Sequence, residues 1–293
     1  MKRSTTLLLA AVLLCSCGGK ETPPNPNPPA QEKVPIRISV TPSTKVTDTA
    51  YENGDIIGLW VVNSGSTFSN SGNYVDNQAF TFDGSQWSAA TQLYWKDDKT
   101  NASFYCYYPR VGTVSDIKAI PFAVAEDQST LASYRASELL WGSRQNVAPT
   151  SSPIEITTHH RMSNLLVYIL PGNGYTAESL KEESIQIFLN GLKVKASLNA
   201  ETGEVSATGN PVDINPYHEG DHFRALVPPQ SLQDQTLVSL NVGDYSFSMK
   251  ETITLKSNTQ HKVTLTVNKV SEGINIGIGN WETDENDYGG TVN

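Results

Sequence analysis

Between Leu93 and Pro109 the chain reads L-Y-W-K-D-D-K-T-N-A-S-F-Y-C-Y-Y-P, two aromatic runs separated by a polar turn. In an extended segment Phe104, Cys106 and Tyr108 fall on one face, and Ser103, Tyr105 and Tyr107 on the other. A period of two with this much aromatic weight predicts a strand half buried in a sheet. Asp97–Asn101 is the solvated connection. Pro109 closes the strand, because proline has no N–H to give to a ladder. The stretch holds no catalytic arrangement; its chemistry is that of a wall.

The same signature recurs along the chain. Val34, Ile36, Ile38 and Val40 share a face, with Pro35, Arg37 and Ser39 opposite, and Pro35 favours an edge position. Gly54-Asp55 opens I-I-G-L-W-V-V, an unbroken apolar run that suits a strand covered on both faces. Asp83-Gly84, set between Phe82 and Trp87, predicts a hairpin, and Asn190-Gly191 predicts a second tight turn. Asp127–Trp141 and Ala177–Ser184 suit short helical turns. Alternating stripes continue to Ile274, Ile276 and Ile278. Many short strands, turn residues between them and few helices predict an all-β chain of β-sandwiches. At roughly 100–200 residues per domain, the length favours two domains. The Pro- and Ser-rich Val147–Pro153 divides them into an N-terminal domain at 34–152 and a C-terminal domain at 153–293.

The N-terminus reads as a processing signal. Lys2 and Arg3 precede the apolar Leu7–Leu14, and Leu14-Cys15-Ser16-Cys17 resembles a bacterial lipobox. Ser16 is small and Leu14 lies three positions ahead, which assigns acylation to Cys17 rather than Cys15. Residues 1–17 are then a lipoprotein signal ending at the acylated cysteine. Residues 18–33, with E-T-P-P-N-P-N-P-P inside, form an extended tether. No later apolar run reaches the roughly 18 residues that a spanning helix needs, so the chain is anchored to a membrane rather than passed through it. Cys106 is left alone in the mature chain, and its neighbours on the stripe suit a buried small hydrophobe.

Chemistry-bearing motifs are few. His218-Glu219-Gly220-Asp221-His222 matches the H-E-x-x-H of zinc hydrolases, where two histidines share a helix face. Pro216 before it, Gly220 inside it and the stripe Phe223, Ala225, Val227 after it argue for a polar loop instead. The acidic run from Asp284 resembles half a calcium loop, but the twelfth-position glutamate falls beyond Asn293. His159 and His160 are adjacent, so a strand sends them to opposite faces. Trp60 and Trp95 sit in strand patterns and suit core packing. A net charge of −9 argues against nucleic acid. The residues therefore predict no enzyme, cofactor or metal. Two rivals remain: a monomeric surface lipoprotein that binds glycan and, remotely, a zinc hydrolase.

Taken together, several short motifs resemble the fimbrillin family, whose members are assembled into type V pili. They are Asn53–Leu59, Tyr94-Trp95, Phe104–Pro109, Ser137–Gly142, His160–Leu165 and Ile274–Trp281, in an order that covers the chain from Val34 onward. Glu138 departs from the family's usual aspartate, and His159 from its usual aromatic or aliphatic residue. The resemblance implies two transthyretin-like β-sandwich domains in tandem, export as an outer-membrane lipoprotein, a place in a surface fimbrium and no catalysis. It implies partners: other copies or related fimbrial subunits, a trypsin-like maturation protease, and a ligand on a host or bacterial surface. Cleavage after a basic residue near the first strand, Arg37 or Lys45, would remove Val34, Ile36, Ile38 and Val40 and open a groove for a neighbour's strand. Ile274, Ile276 and Ile278 then read either as that donor strand or as the closing strand of the second domain. Asp48-Thr49-Ala50 resembles the family's O-glycosylation sequon.

Overall fold

The structure is a computed structural model and describes residues 33–43 and 50–284. The expectations for Cys17, the signal and tether up to residue 32, Lys45, the Asp48-Thr49 part of the sequon and the acidic residues after Asp284 lie outside the described residues. In chain order the elements are β1 (Ile38–Pro42), β2 (Ile56–Asn63), β3 (Val75–Phe82), β4 (Trp87–Ser88), β5 (Ala102–Tyr108), β6 (Ile120–Ala123), α1 (Leu131–Ala136), β7 (Leu140–Val147), β8 (Ile154–His160) and β9 (Ser163–Pro171). There follow α2 (Ala177–Lys181), β10 (Ile185–Leu198), β11 (Val205–Ile214), β12 (Tyr217–Glu219), β13 (His222–Val227), β14 (Gln230–Val242), β15 (Tyr245–Leu255), β16 (Thr259–Val270), β17 (Gly273–Ile278) and β18 (Glu282–Asp284). The chain is all-β with sandwich-like sheets, as its stripes predict.

One seven-stranded sheet runs β1-β8-β7-β5-β2-β3-β4. Its two ends meet, because Pro35 bridges Tyr94. The sheet therefore rolls around its own core, in which Ile57, Leu59, Phe80, Trp87, Trp95 and Phe104 pack with Ile154 and Ile156. The Asp83-Gly84 hairpin forms as expected: Phe82 pairs with Trp87, and Gly84 takes a φ of 96°. Two further sheets share a second core. One runs β11-β10-β14-β15 with β6 on β10; the other runs β12-β13-β9-β16-β17 with β18 on β16. Leu165, Val167, Ile187, Leu189, Val238 and Val263 lie in that core. Val147–Pro153 joins β7 to β8 inside the first sheet; β6 has already paired with β10, and from β9 onward every strand belongs to the other two sheets.

Two local readings are corrected. β5 is buried on both faces rather than one. Phe104 and Cys106 enter the first core, whereas Tyr105 and Tyr107 join Trp60, Val62 and Phe68 in the core shared with the other sheets. The outer face of the rolled sheet is thus a packing surface, and Trp60 stacks on Tyr107 at 5.3 Å. Asn190-Gly191 makes no turn. β10 continues through it, and the positive φ of Gly191, 67°, is used in a register shift against β11 between Leu189 and Leu192. A glycine in the left-handed region serves a bulge as well as a hairpin. Here the shift comes where β10 passes from β14, paired as far as Leu189, toward β6, paired from Lys195.

Candidate assembly site

β1 is held from two sides by segments distant in sequence. On one side it pairs in parallel with β8, Ile38 opposite Ile154 and Val40 opposite Ile156. Ile154 N donates to Arg37 O at 2.9 Å, and Ser43 N to Thr158 O at 2.7 Å. On the other side Ile36 N donates to Leu93 O at 2.8 Å, and Trp95 N to Val34 O at 2.9 Å. Trp87 Nε1 reaches Val40 O at 3.1 Å, and Gln92 Nε2 reaches Ile36 O at 3.1 Å. Ile36, Ile38 and Val40 are buried, while the side chain of Arg37 between them is exposed. The predicted stripe is therefore a real plug in the first core. Residues 87–95 form the wall that sequence reasoning missed. Their aromatic side chains signalled burial, but nothing local shows which strand they would cover.

The second stripe lies at an edge. β17 pairs antiparallel with β16, Ile276 opposite Val267 and Ile278 opposite Leu265. Nothing pairs with its other side among the described residues. Ile274 and Ile276 are half-buried, and Ile278 is 55% exposed. In this chain the stripe serves as the last strand of its own sheet.

Ser137–Gly142 and His160–Leu165, distant in sequence, form one structural unit. Leu140 pairs with His160 and Trp141 with His159, while Arg161 N donates to Leu139 O at 2.8 Å. The Arg161 guanidinium lies 4.8 Å from the Trp141 ring centroid. Trp141 Nε1 in turn donates to Ala200 O at 2.8 Å, tying the rolled sheet to the loop after β10. Gly142 has no side chain because the Thr157–Thr158 backbone of β8 occupies that space.

The H-E-x-x-H residues form a hairpin, not a helix or a plain polar loop. Gly220, at a φ of 62°, turns the chain between β12 and β13. Glu219 then pairs with His222, and His218 with Phe223. Paired residues share a sheet face, so the two histidines lie on opposite faces. His218 stacks on Phe223 at 4.3 Å, and His222 Nε2 lies 3.6 Å from Glu219 Oε2. This arrangement does not bring both imidazoles to one ion. Among the described residues no group of three or more His, Cys, Asp or Glu side chains is placed to hold a metal, and no helix is long and apolar enough to cross a membrane. Cys106 is buried, and that burial pushes its thiol pKa up to about 12.

Comparison with known proteins places these features in context. The sequence profile of a family described as fimbrillin-like matches residues 44–281. A curated protein of Bacteroides ovatus named as a fimbrium tip subunit is 29% identical over 220 residues, an alignment covering 66% of this chain and 38% of that protein. The chain thus spans well under half the length of that relative. A solved structure from Bacteroides uniformis, described as a cell adhesion protein, superposes with a TM-score of 0.66 at 17% identity, over 88% of this chain and 99% of that one. A second, from Bacteroides ovatus and described in the same words, gives 0.66 at 16% identity over 86% and 98%. At these identities the likeness is one of fold.

Proposed function

The chain belongs to the fimbrillin-like family, and from that premise we propose that it is a structural and adhesive subunit of a surface fimbrium. In this reading it is exported as an outer-membrane lipoprotein through Cys17. It is then matured by a trypsin-like protease and joined to other copies or related subunits by strand exchange.

The observation that carries the reading is the two-sided seating of β1. The buried side chains of Ile36, just ahead of the strand, and of Ile38 and Val40 within it, together with hydrogen bonds on both flanks of Val34–Pro42, hold this segment, and both flanking segments come from far along the chain. Removing it exposes three apolar pockets, each worth roughly 1.5–3 kcal/mol when filled, and two unpaired backbone edges. An extended apolar segment from a neighbour satisfies both demands at once, which is the logic of β-strand addition. The position of the cut matters. A cut after Arg37 leaves Ile38–Pro42 attached, whereas a cut after Lys45 releases the whole of β1. β17 suits the donor role in sequence, with Ile274, Ile276 and Ile278 at the spacing of Ile36, Ile38 and Val40. Its open edge and the exposure of Ile278 support its release.

The test is electron microscopy of the purified full chain before and after limited digestion with a trypsin-like protease, with the new N-terminus sequenced. Fibres that form only after loss of the first strand support the proposal. Equal assembly without cleavage, or cleavage without assembly, removes strand exchange from it.

A further inference from the structure

A cavity of about 370 Å3 lies between the first sheet and the turn after β10, within the roughly 300–1,000 Å3 of small-molecule sites. We infer that it binds a neutral saccharide residue. The inference rests on the adhesive reading above and gives it a ligand class and a site.

The lining is chemically selective. Asn63, Ser64, Ser66, Thr67, Ser103 and Asn146 supply hydroxyl and amide groups around it. The side chains of Asn63, Ser64, Ser66 and Thr67 make no hydrogen bond to another described residue, so their donors and acceptors are available to a ligand. Phe68 and Tyr105 back this lining; their rings stack on each other at 4.5 Å and are buried in the core, so they stiffen the wall beneath the polar groups. Glu201 supplies the single carboxylate. An ionised carboxylate accepts in two directions at once, as adjacent hydroxyls of a pyranose require.

The walls are held in place before any ligand arrives. Ser66 N donates to Asn63 O at 3.0 Å across the turn at Gly65, and Ser64 N donates to Asn101 O at 2.8 Å. Asn146 sits at a φ of 52°, in a region that costs a non-glycine residue energy. Its N–H is bound to Ser103 Oγ at 3.1 Å, and its Oδ1 accepts from Asn101 at 2.9 Å. The Nδ2 group of Asn146 remains as a donor. The Glu201 wall comes from the other sheets and is anchored next door: Ala200 N donates to Ile117 O at 2.7 Å, and Ala200 O accepts from Trp141 Nε1. Preorganised polar groups lose little freedom on binding, which weak saccharide contacts require. The carboxylate disfavours acidic sugars and phosphates, and the scarcity of apolar surface disfavours lipids.

The experiment titrates the full chain, by calorimetry and saturation-transfer NMR, with the methyl glycosides of glucose, galactose, mannose, fucose, N-acetylglucosamine and N-acetylgalactosamine. The methyl glycoside of sialic acid serves as the anionic control. At least one neutral glycoside is expected to bind in the millimolar range. Glu201→Ala, Asn63→Ala and Ser66→Ala are each expected to weaken it, Glu201→Ala by about tenfold or more, with unchanged circular dichroism. Absence of binding by every neutral glycoside, binding untouched by all three substitutions, or preference for the sialoside each refutes the site. A wild-type chain that binds none of them but still enters surface fibres removes the site and leaves the fimbrial reading standing. A chain that binds through Glu201 but never enters fibres does the reverse.

Discussion

His160 Nδ1 lies 2.8 Å from Glu138 Oε2, and the two side chains are 1% and 8% exposed. The other carboxylate oxygen of Glu138 accepts from Leu139 N at 3.1 Å. The pair fastens the start of β7 to the end of β8. Removing one member leaves a buried polar group without its partner. Glu138→Ala is therefore expected to cost roughly 2–5 kcal/mol. Glu138→Asp, one methylene shorter, should cost less. The double variant Glu138→Leu/His160→Leu should recover much of the loss. Urea unfolding of the four proteins measures this; equal stability of Glu138→Ala and wild type shows that the pair contributes nothing.

The raised pKa of Cys106 has a sign that can be checked. The folded thiol ionises only near pH 12, against about 8.5 in an unfolded chain. Its contribution is therefore complete below roughly pH 8.5 and is lost as pH rises from there toward 12. Native protein at pH 8 should resist iodoacetamide, and urea-unfolded protein should react at once. Cys106→Ala should flatten the alkaline slope of stability. Rapid native alkylation contradicts the burial.

Gly142→Ala should be among the most damaging small substitutions in the chain. The new methyl group meets the main chain of Thr157 and Thr158, which cannot rotate away as a side chain does. Overpacking against backbone costs roughly 1–3 kcal/mol or more. Thermal unfolding reads it directly, and a melting temperature unchanged from wild type shows that β7 and β8 can separate without cost.

Three variants separate the parts of the maturation proposal. Lys45→Ala should abolish both cleavage-dependent assembly and release of β1 if the cut follows Lys45, and Arg37→Ala should abolish cleavage-dependent assembly if it follows Arg37. Ile276→Asp should leave a folded precursor that does not extend fibres, because the charge enters the neighbour's apolar groove. Normal polymerisation of that variant places the donor elsewhere. Failure of its precursor to fold assigns the strand to the subunit's own core.

For the anchor, metabolic labelling with an alkyne fatty acid should mark the wild type and miss Cys17→Ala. Labelling that persists there but vanishes in Cys15→Ala transfers the modification to the earlier cysteine.

Much of this architecture is legible in the chain. The stripes at Val34–Val40 and Ser103–Tyr108 become or adjoin strands, because alternation depends only on local backbone geometry, and the unbroken apolar run from Ile56 becomes the two-sided strand β2. The Asp83-Gly84 hairpin is legible for the same reason. Pairing over distance is not. No residue of β1 indicates that Ile154–Thr158 will lie beside it in parallel, nor that Leu93 and Trp95 will cover its other edge. The second buried face of β5 was equally hidden, since Tyr105 and Tyr107 alternate like any half-exposed stripe until another sheet covers them. Asn190-Gly191 shows a third limit. A positive φ is required there, but whether it turns the chain or only shifts its register depends on how far the strands on either side continue. The polar cavity escaped notice because its walls, Asn63–Phe68 and Glu201, are individually ordinary loop residues.

The parallel pairing of β1 with β8 also has a kinetic meaning. The partner of Ile38 is made more than a hundred residues after it, so the first strand to leave the ribosome is among the last to find its place. Contacts of such long sequence separation form late, because loop-closure entropy must be offset first. The rest of the rolled sheet, β8-β7-β5-β2-β3-β4, is hydrogen-bonded without it. A strand that arrives last on an already formed frame can also leave first. In the proposed assembly, loss of this strand after the frame has formed leaves the ladder from β8 to β4 intact, so the subunit keeps its shape while its groove is open.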